Sequence, residues 1–208
     1  MVLVAADRFD EAVYLLALAI VLDLLDGRVA RRLRATSEFG RQLDSFSDAG
    51  SFGIAPAFLV YHANLQGLKS AGVLVAIVYL LAGMFRLGRH NLLSDVHAKA
   101  RRTMGLPIPI GASYLMAVVL LRDSIPPAAA AGVVLLMACA MVTRWKLPEL
   151  RGSGAVTAML GVGIANYLAF LAWPGWYTAG WWTLWNLAIV AAARTEDRRL
   201  GLDPSTEP

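Results

Sequence analysis

An all-α, polytopic transmembrane helical bundle is the fold class this sequence predicts, on three observations. The first is composition: of 208 residues 58% are hydrophobic and 16% charged, with a mean hydropathy of +0.57, a balance unlike that of soluble domains. The second is that residues 49–68, 70–85, 103–121, 124–143 and 152–193 contain no Asp, Glu, Lys or Arg. The last of these stretches holds 42 residues, enough for two spans. The third is the placement of the basic residues. With an earlier helix ending near Arg34 the chain makes about seven spans, and alternating sides then collect sixteen of the 19 Lys and Arg on one side. Only Arg8, Lys69 and Arg122 fall on the other, so the crowded side is cytoplasmic by the positive-inside rule. The net charge of +4 is thus a topology signal, and nucleic acid is not an expected partner.

Taken in order, residues 1–6 are apolar but too short to span, and 7–11 form a polar break on the far side. Residues 14–34 carry the first full helix. In the loop that follows, Ser37 is a predicted N-cap for the next helix, close to Gly40. That helix continues into residues 49–68, where Gly50, Ser51, Gly53 and Ala55 allow close packing and Pro56 predicts a kink. Residues 70–85 end on Arg86 and Arg89, and a cytoplasmic loop with Asp95, His97, Lys99, Arg101 and Arg102 follows. Residues 103–121 are entered through Gly105-Leu106-Pro107-Ile108-Pro109. Residues 124–193 read as scaffold and as the surface that pairs two subunits, with Trp173, Trp176, Tyr177, Trp181 and Trp182 at an interfacial turn. Residues 1–194 form one membrane domain, and 195–208 a polar, disordered cytoplasmic tail. The single Cys139 excludes an intrachain disulfide and reads as a packing residue. His62, His90 and His97 have no Cys or His partner at ligand spacing, so no zinc site is expected.

The polar exception to this pattern is residues 23–48, which hold four aspartates at helical spacing. Asp23 and Asp26 are three apart, Asp44 and Asp48 four apart, so each pair projects from one helix face. Gly27 and Ala30 share the face of Asp23, and Gly40 that of Asp44, which clears a floor on which a bulky ligand can approach the backbone. An ionised group in or near hydrocarbon costs roughly 2 to 4 kcal/mol, so four together call for divalent cations. Carboxylate oxygens are hard ligands that suit Mg2+ or Mn2+, and two such ions about 3.5 to 4 Å apart clamp a phosphate while its oxygens exchange.

The spacing D-x2-D-G-x2-A-R-x8-G-x3-D-x3-D is filled by Asp23, Asp26, Gly27, Ala30, Arg31, Gly40, Asp44 and Asp48, and it resembles the motif of the CDP-alcohol phosphotransferase family. A chance match is on the order of one in ten million. Arg86-Leu87-Gly88-Arg89, Gly105-Leu106-Pro107-Ile108-Pro109 and the run Ser51-Phe52-Gly53-Ile54-Ala55-Pro56 resemble the phosphatidylserine synthase branch, from which Gly88, His90 and Ile110-Gly111 depart. The resemblance implies an enzyme that moves the phosphatidyl group of CDP-diacylglycerol to the hydroxyl of L-serine, giving phosphatidylserine and CMP. It implies two Mg2+ or Mn2+ ions on Asp23, Asp26, Asp44 and Asp48, with Asp48 also the base. Gly27, Ala30, Arg31, Gly40 and Ser37 would then meet the CDP-lipid, and Arg86 or Arg89 the carboxylate of the acceptor. A homodimer follows from the same resemblance; a bacterial or archaeal cell membrane is the expected location, with the site open to the cytoplasm by the positive-inside rule. The family normally places an interfacial helix and a further span ahead of the motif, so the chain reads as shortened, with residues 1–6 as the end of that span.

Other readings stay open at this point. Lys99, Arg101 and Arg102 would suit an inositol phosphate or glycerol 3-phosphate acceptor. Membrane prenyltransferases also pair aspartates around magnesium but lack the Gly, Ala and Arg positions. A cation-coupled transporter would carry its carboxylates near the bilayer midplane among broken helices, whereas these lie at the cytoplasmic end of theirs.

Overall fold

The computed structural model describes residues 1–32, 37–96, 104–144 and 154–199, and no strand occurs among them. Val2–Ala5 (α1) is a single turn, and Asp7, at φ +55°, redirects the chain into Phe9–Arg32 (α2). Asp10 and Glu11 sit in the first turn of α2, where the amide dipoles favour negative charge.

Glu38–Asp48 (α3) runs without a break into a wide π-helical stretch, Ala49–Ile54, and then Ala55–Val60 (α4). The kink expected at Pro56 takes this form. Pro56 has no N–H to offer the Phe52 carbonyl four residues back and its ring crowds that oxygen, so the turn ahead of it opens and the Ala55 N–H reaches Gly50. A second wide stretch, Tyr61–Leu65, and a tight turn, Gln66–Leu68, complete the rod.

Ser70–Val96 (α5) contains the segment Ser70–Leu92, which at 23 residues and mean hydropathy 2.0 is long and apolar enough to cross a membrane. Its inward face buries Tyr79, Ala82, Arg86 and Leu87, at the spacing of one helix stripe. Val73, Leu74, Ile77, Leu81 and Phe85 are exposed on the other side. Ile108–Leu120 (α6), Pro127–Val142 (α7) and the part Gly161–Ala172 of Gly154–Ala172 (α8) are apolar and shorter.

The hub is α6. A helix that is apolar on every side belongs in the interior, and α6 buries Ile108, Ala112, Leu115, Met116 and Val119 while packing against α2, α4 and α7. Meanwhile α5 lies along α7 and the wide stretch 49–54. At Gly53 a side chain would meet Leu80 at 3.2 Å, and at Gly83 it would meet Ile108 at 2.7 Å, so small residues set these separations.

Residues 152–193, expected to hold two helices, supply α8 and Trp176–Arg199 (α9), with a break at 173–175. The Trp182 ring lies 4.5 Å from that of Tyr114, 5.2 Å from Tyr167 and 6.2 Å from Phe170, which seats α9 on α6 and α8. Helix α9 runs through Arg199, five residues into the stretch read as a polar tail. Residues 200–208, together with Arg34, His97, Lys99, Arg101 and Arg102, lie outside the described residues. At the end of the bundle where α2 starts and α6 stops, Arg122 donates to Asp10 at 2.6 Å and covers the ring of Phe9 at 5.7 Å.

The entrance to α6 is the tightest point of the backbone. Gly105 holds φ +73°, a Cβ there would sit 2.2 Å from the Met141 carbonyl oxygen, and the next N–H, of Leu106, donates to Ala140 at 3.0 Å. Gly105→Ala is therefore expected to cost at least ~1 to 2 kcal/mol in thermal unfolding in detergent. Gly132→Ala on α7, where a Cβ meets nothing within 4 Å, should be neutral or stabilising in the same measurement.

Candidate functional site

The site forms where α2 and α3 meet the end of α5. Asp23 and Asp26 lie one turn apart on α2, Asp44 and Asp48 one turn apart on α3. The fold brings the two pairs together: one carboxylate oxygen from each of Asp23, Asp26 and Asp44 lies within 4.8 Å of the others, and Asp48 is near enough to Asp23 and Asp44 for their charges to act on it.

Asp44 and Asp48 precede the charge-free stretch 49–68, and both hold protons more tightly than an ordinary carboxylate. For Asp44 the causes are burial and then the charge of Asp26. For Asp48 they are burial, then the charges of Asp23 and Asp44, partly offset by the Arg86 guanidinium. One oxygen of Asp48, Oδ1, is buried with no hydrogen-bond partner. An unpaired buried acceptor within a group of hard oxygen donors fits a divalent cation, which would neutralise the charges and occupy the free lone pair.

Helix α3 is fixed at both ends of its reach. Ser37 caps it as expected, its Oγ accepting from the Gly40 N–H at 3.0 Å. A Cβ at Gly40 would stand 3.1 Å from that same Oγ, so the glycine serves the cap directly. Further along, the Asn91 amide donates to the Ser45 hydroxyl at 2.9 Å and ties α3 to the end of α5. Sequence reading passed over this pair, although Asn91 stands two residues beyond Arg89 and Ser45 beside Asp44. Gly27, Ala30 and Arg31 fall in α2 on the carboxyl side of Asp26, and their side chains lie outside the described residues.

The two arginines singled out for the acceptor have different surroundings. Arg86 is 7% exposed, its Nε has no hydrogen-bond partner, and its charge acts on Asp48. Arg89 is engaged elsewhere. Its Nη1 donates to Val142 at 3.0 Å, and its Nη2 is shared among Met104 at 3.0 Å, Thr143 at 3.0 Å and Met141 at 3.3 Å. These are the last carbonyls of α7 and the first residue of the strap into α6, so Arg89 acts as a helix C-cap that closes the loop around Gly105. The reason is geometric: Arg89 stands about one helix turn, roughly 4.5 Å, further along α5 than Arg86, which brings it level with the end of α7.

Residues 1–145 match the family described as CDP-alcohol phosphatidyltransferase. Over 109 residues the chain is 38% identical to the CDP-diacylglycerol–serine O-phosphatidyltransferase of Bacillus subtilis, covering 52% of this chain and 60% of that protein. It is 42% identical over 102 residues to the protein of the same name from Methanocaldococcus jannaschii, covering 49% and 47%. With the archaetidylserine synthase of Methanothermobacter thermautotrophicus it shares 34% identity over 151 residues, 72% of this chain and 63% of that one. The matches thus span about half to three fifths of the length of these relatives.

Two variants test the supports of the site. Ser37→Ala is expected to lower the stability of the folded protein in detergent by about 1 kcal/mol through loss of the cap. Arg89→Lys, whose ammonium cannot serve four carbonyls spread over two segments, should lower it by about 1 to 3 kcal/mol. Unchanged unfolding temperatures would reject these assignments.

Proposed function

The chain belongs to the CDP-alcohol phosphatidyltransferase family, and we propose on that premise that it moves the phosphatidyl group of CDP-diacylglycerol to the hydroxyl of L-serine, releasing CMP. The observation that carries the reading is the convergence of Asp23, Asp26 and Asp44 within 4.8 Å, with Asp48 beside them and its Oδ1 unpaired. The names borne by the Bacillus and Methanocaldococcus relatives supply the acceptor.

Asp23, Asp26, Asp44 and Asp48 would hold two Mg2+ or Mn2+ ions, which supply charge neutralisation for the pyrophosphate and a good leaving group in CMP. Asp48 takes the proton from the serine hydroxyl. The hydroxyl oxygen bonds to the lipid-side phosphorus as the bond from that phosphorus to the bridging oxygen breaks. Arg86, buried and close enough to act on Asp48, is placed to pair with the carboxylate of serine. Gly27, Ala30 and Gly40 leave room for the nucleotide, with Arg31 and Ser37 at its phosphates.

The acyl chains stay in the bilayer, which the chain spans about seven times, with the carboxylates on the cytoplasmic side of the cell membrane and residues 1–194 as one domain. The exposed apolar face of α5, from Val73 to Phe85, supports that placement. Two copies pair as a homodimer.

Purified protein with Mn2+ or Mg2+ and CDP-diacylglycerol is expected to release CMP when L-serine is supplied, and not with myo-inositol 1-phosphate or glycerol 3-phosphate. Chelation should abolish release, and Asp48→Asn should lower it about a thousandfold. Release only with a phosphorylated acceptor would overturn the assignment of serine and of Arg86; no release with any acceptor would overturn the transferase reading itself.

A further inference from the structure

Tyr79 is fully buried in the middle of α5, and its hydroxyl donates to the Phe52 carbonyl at 3.0 Å. Phe52 is the residue whose carbonyl Pro56 deprives of its usual helical N–H, four positions on. A carbonyl that loses its i+4 donor in an apolar bundle has no water to replace it, so a side chain with an O–H bears directly on which backbone geometry is favoured there. Phe52 lies one turn after Asp48, and Arg86 lies two turns after Tyr79, so the Tyr79–Phe52 bond and the Arg86–Asp48 interaction are successive rungs of one seam. Close packing leaves the hydroxyl little freedom. On α6, Gly111 lies alongside the seam, where a Cβ would collide with the Met141 methyl at 2.1 Å and reach ordinary contact with the Tyr79 oxygen at 3.5 Å.

We propose that Tyr79 is a positioning residue for the transfer: by satisfying the carbonyl that Pro56 leaves without its N–H, it locks the wide turn 49–54 and so fixes the direction in which Asp44 and Asp48 face Asp23 and Asp26. No group on Tyr79 touches substrate. The proposal rests on the carboxylate-cluster reading above and adds the means by which the cluster is aimed. A sequence signal for it exists in the pairing of a proline in one apolar segment with a single phenolic hydroxyl in the middle of the next.

The test is a double-mutant cycle in which Pro56→Ala returns an N–H to position 56. Tyr79→Phe alone is expected to weaken Mn2+ binding, read by calorimetry without substrate, and to lower turnover, each about tenfold, with KM for both substrates within about twofold of wild type. In the Pro56→Ala background the same change should cost less than about threefold, because the carbonyl now has a backbone donor. Equal losses in the two backgrounds, or wild-type metal binding and turnover in Tyr79→Phe, would overturn the proposal. Should Pro56→Ala fail to assemble, the single variant decides, a rise in KM with unchanged turnover and metal binding counting against it. A wild-type protein that binds Mn2+ but releases no CMP sinks the serine-transfer reading, while the binding half of the cycle still decides the role of Tyr79.

Discussion

Mutual repulsion among four carboxylates at one end of an apolar bundle is the constraint that shapes this protein. Left to themselves Asp23, Asp26, Asp44 and Asp48 would splay apart toward water, and at surface-like screening a pair of such charges about 4 Å apart repels by roughly 4 kcal/mol. Holding them together therefore needs helices that cannot slide. The buried, all-round apolar α6 provides the fixed core against which α2, α4 and α7 are set, and glycines at 53 and 83 let α5 and α6 close to contact. With those distances set by packing, the repulsion becomes a standing demand for cations.

Helix α5 works as the ruler of the site. Along it Tyr79 holds the Phe52 carbonyl, Arg86 faces Asp48, Arg89 gathers the last carbonyls of α7, and Asn91 holds Ser45. Each of these polar groups lies in or next to apolar surroundings, where an unmade bond is costly, so each bond fixes a neighbouring element as well as satisfying itself. The carboxylates on α3 are thus aimed from α5, while the aspartates on α2 are held by packing against α6.

Much of this was legible beforehand. Helical spacing placed both aspartate pairs, Ser37 proved to be the cap of α3, and the 42-residue apolar stretch divided into α8 and α9 at its Trp-rich middle. The reasons are local: helix periodicity, cap chemistry and apolar length are properties of neighbouring residues. Arg89 was harder, because an arginine at a helix end has the same sequence signature whether it anchors the topology, pairs with a carboxylate or caps another helix, and only the position of the α7 terminus separates these.

What the sequence by itself determined is the inventory: an all-helical chain, four aspartates on two helix faces, and the family to which that spacing belongs. The tertiary structure decided the distances and the partners. It placed three of the carboxylates within 4.8 Å of one another with Asp48 beside them, turned Arg89 to the end of α7, set Arg86 near enough for its charge to act on Asp48, and gave the Phe52 carbonyl a hydroxyl from the next helix. Rotation of one helix against another is fixed by packing between residues far apart in the chain, so no local pattern encodes which of two neighbouring arginines turns toward the carboxylates.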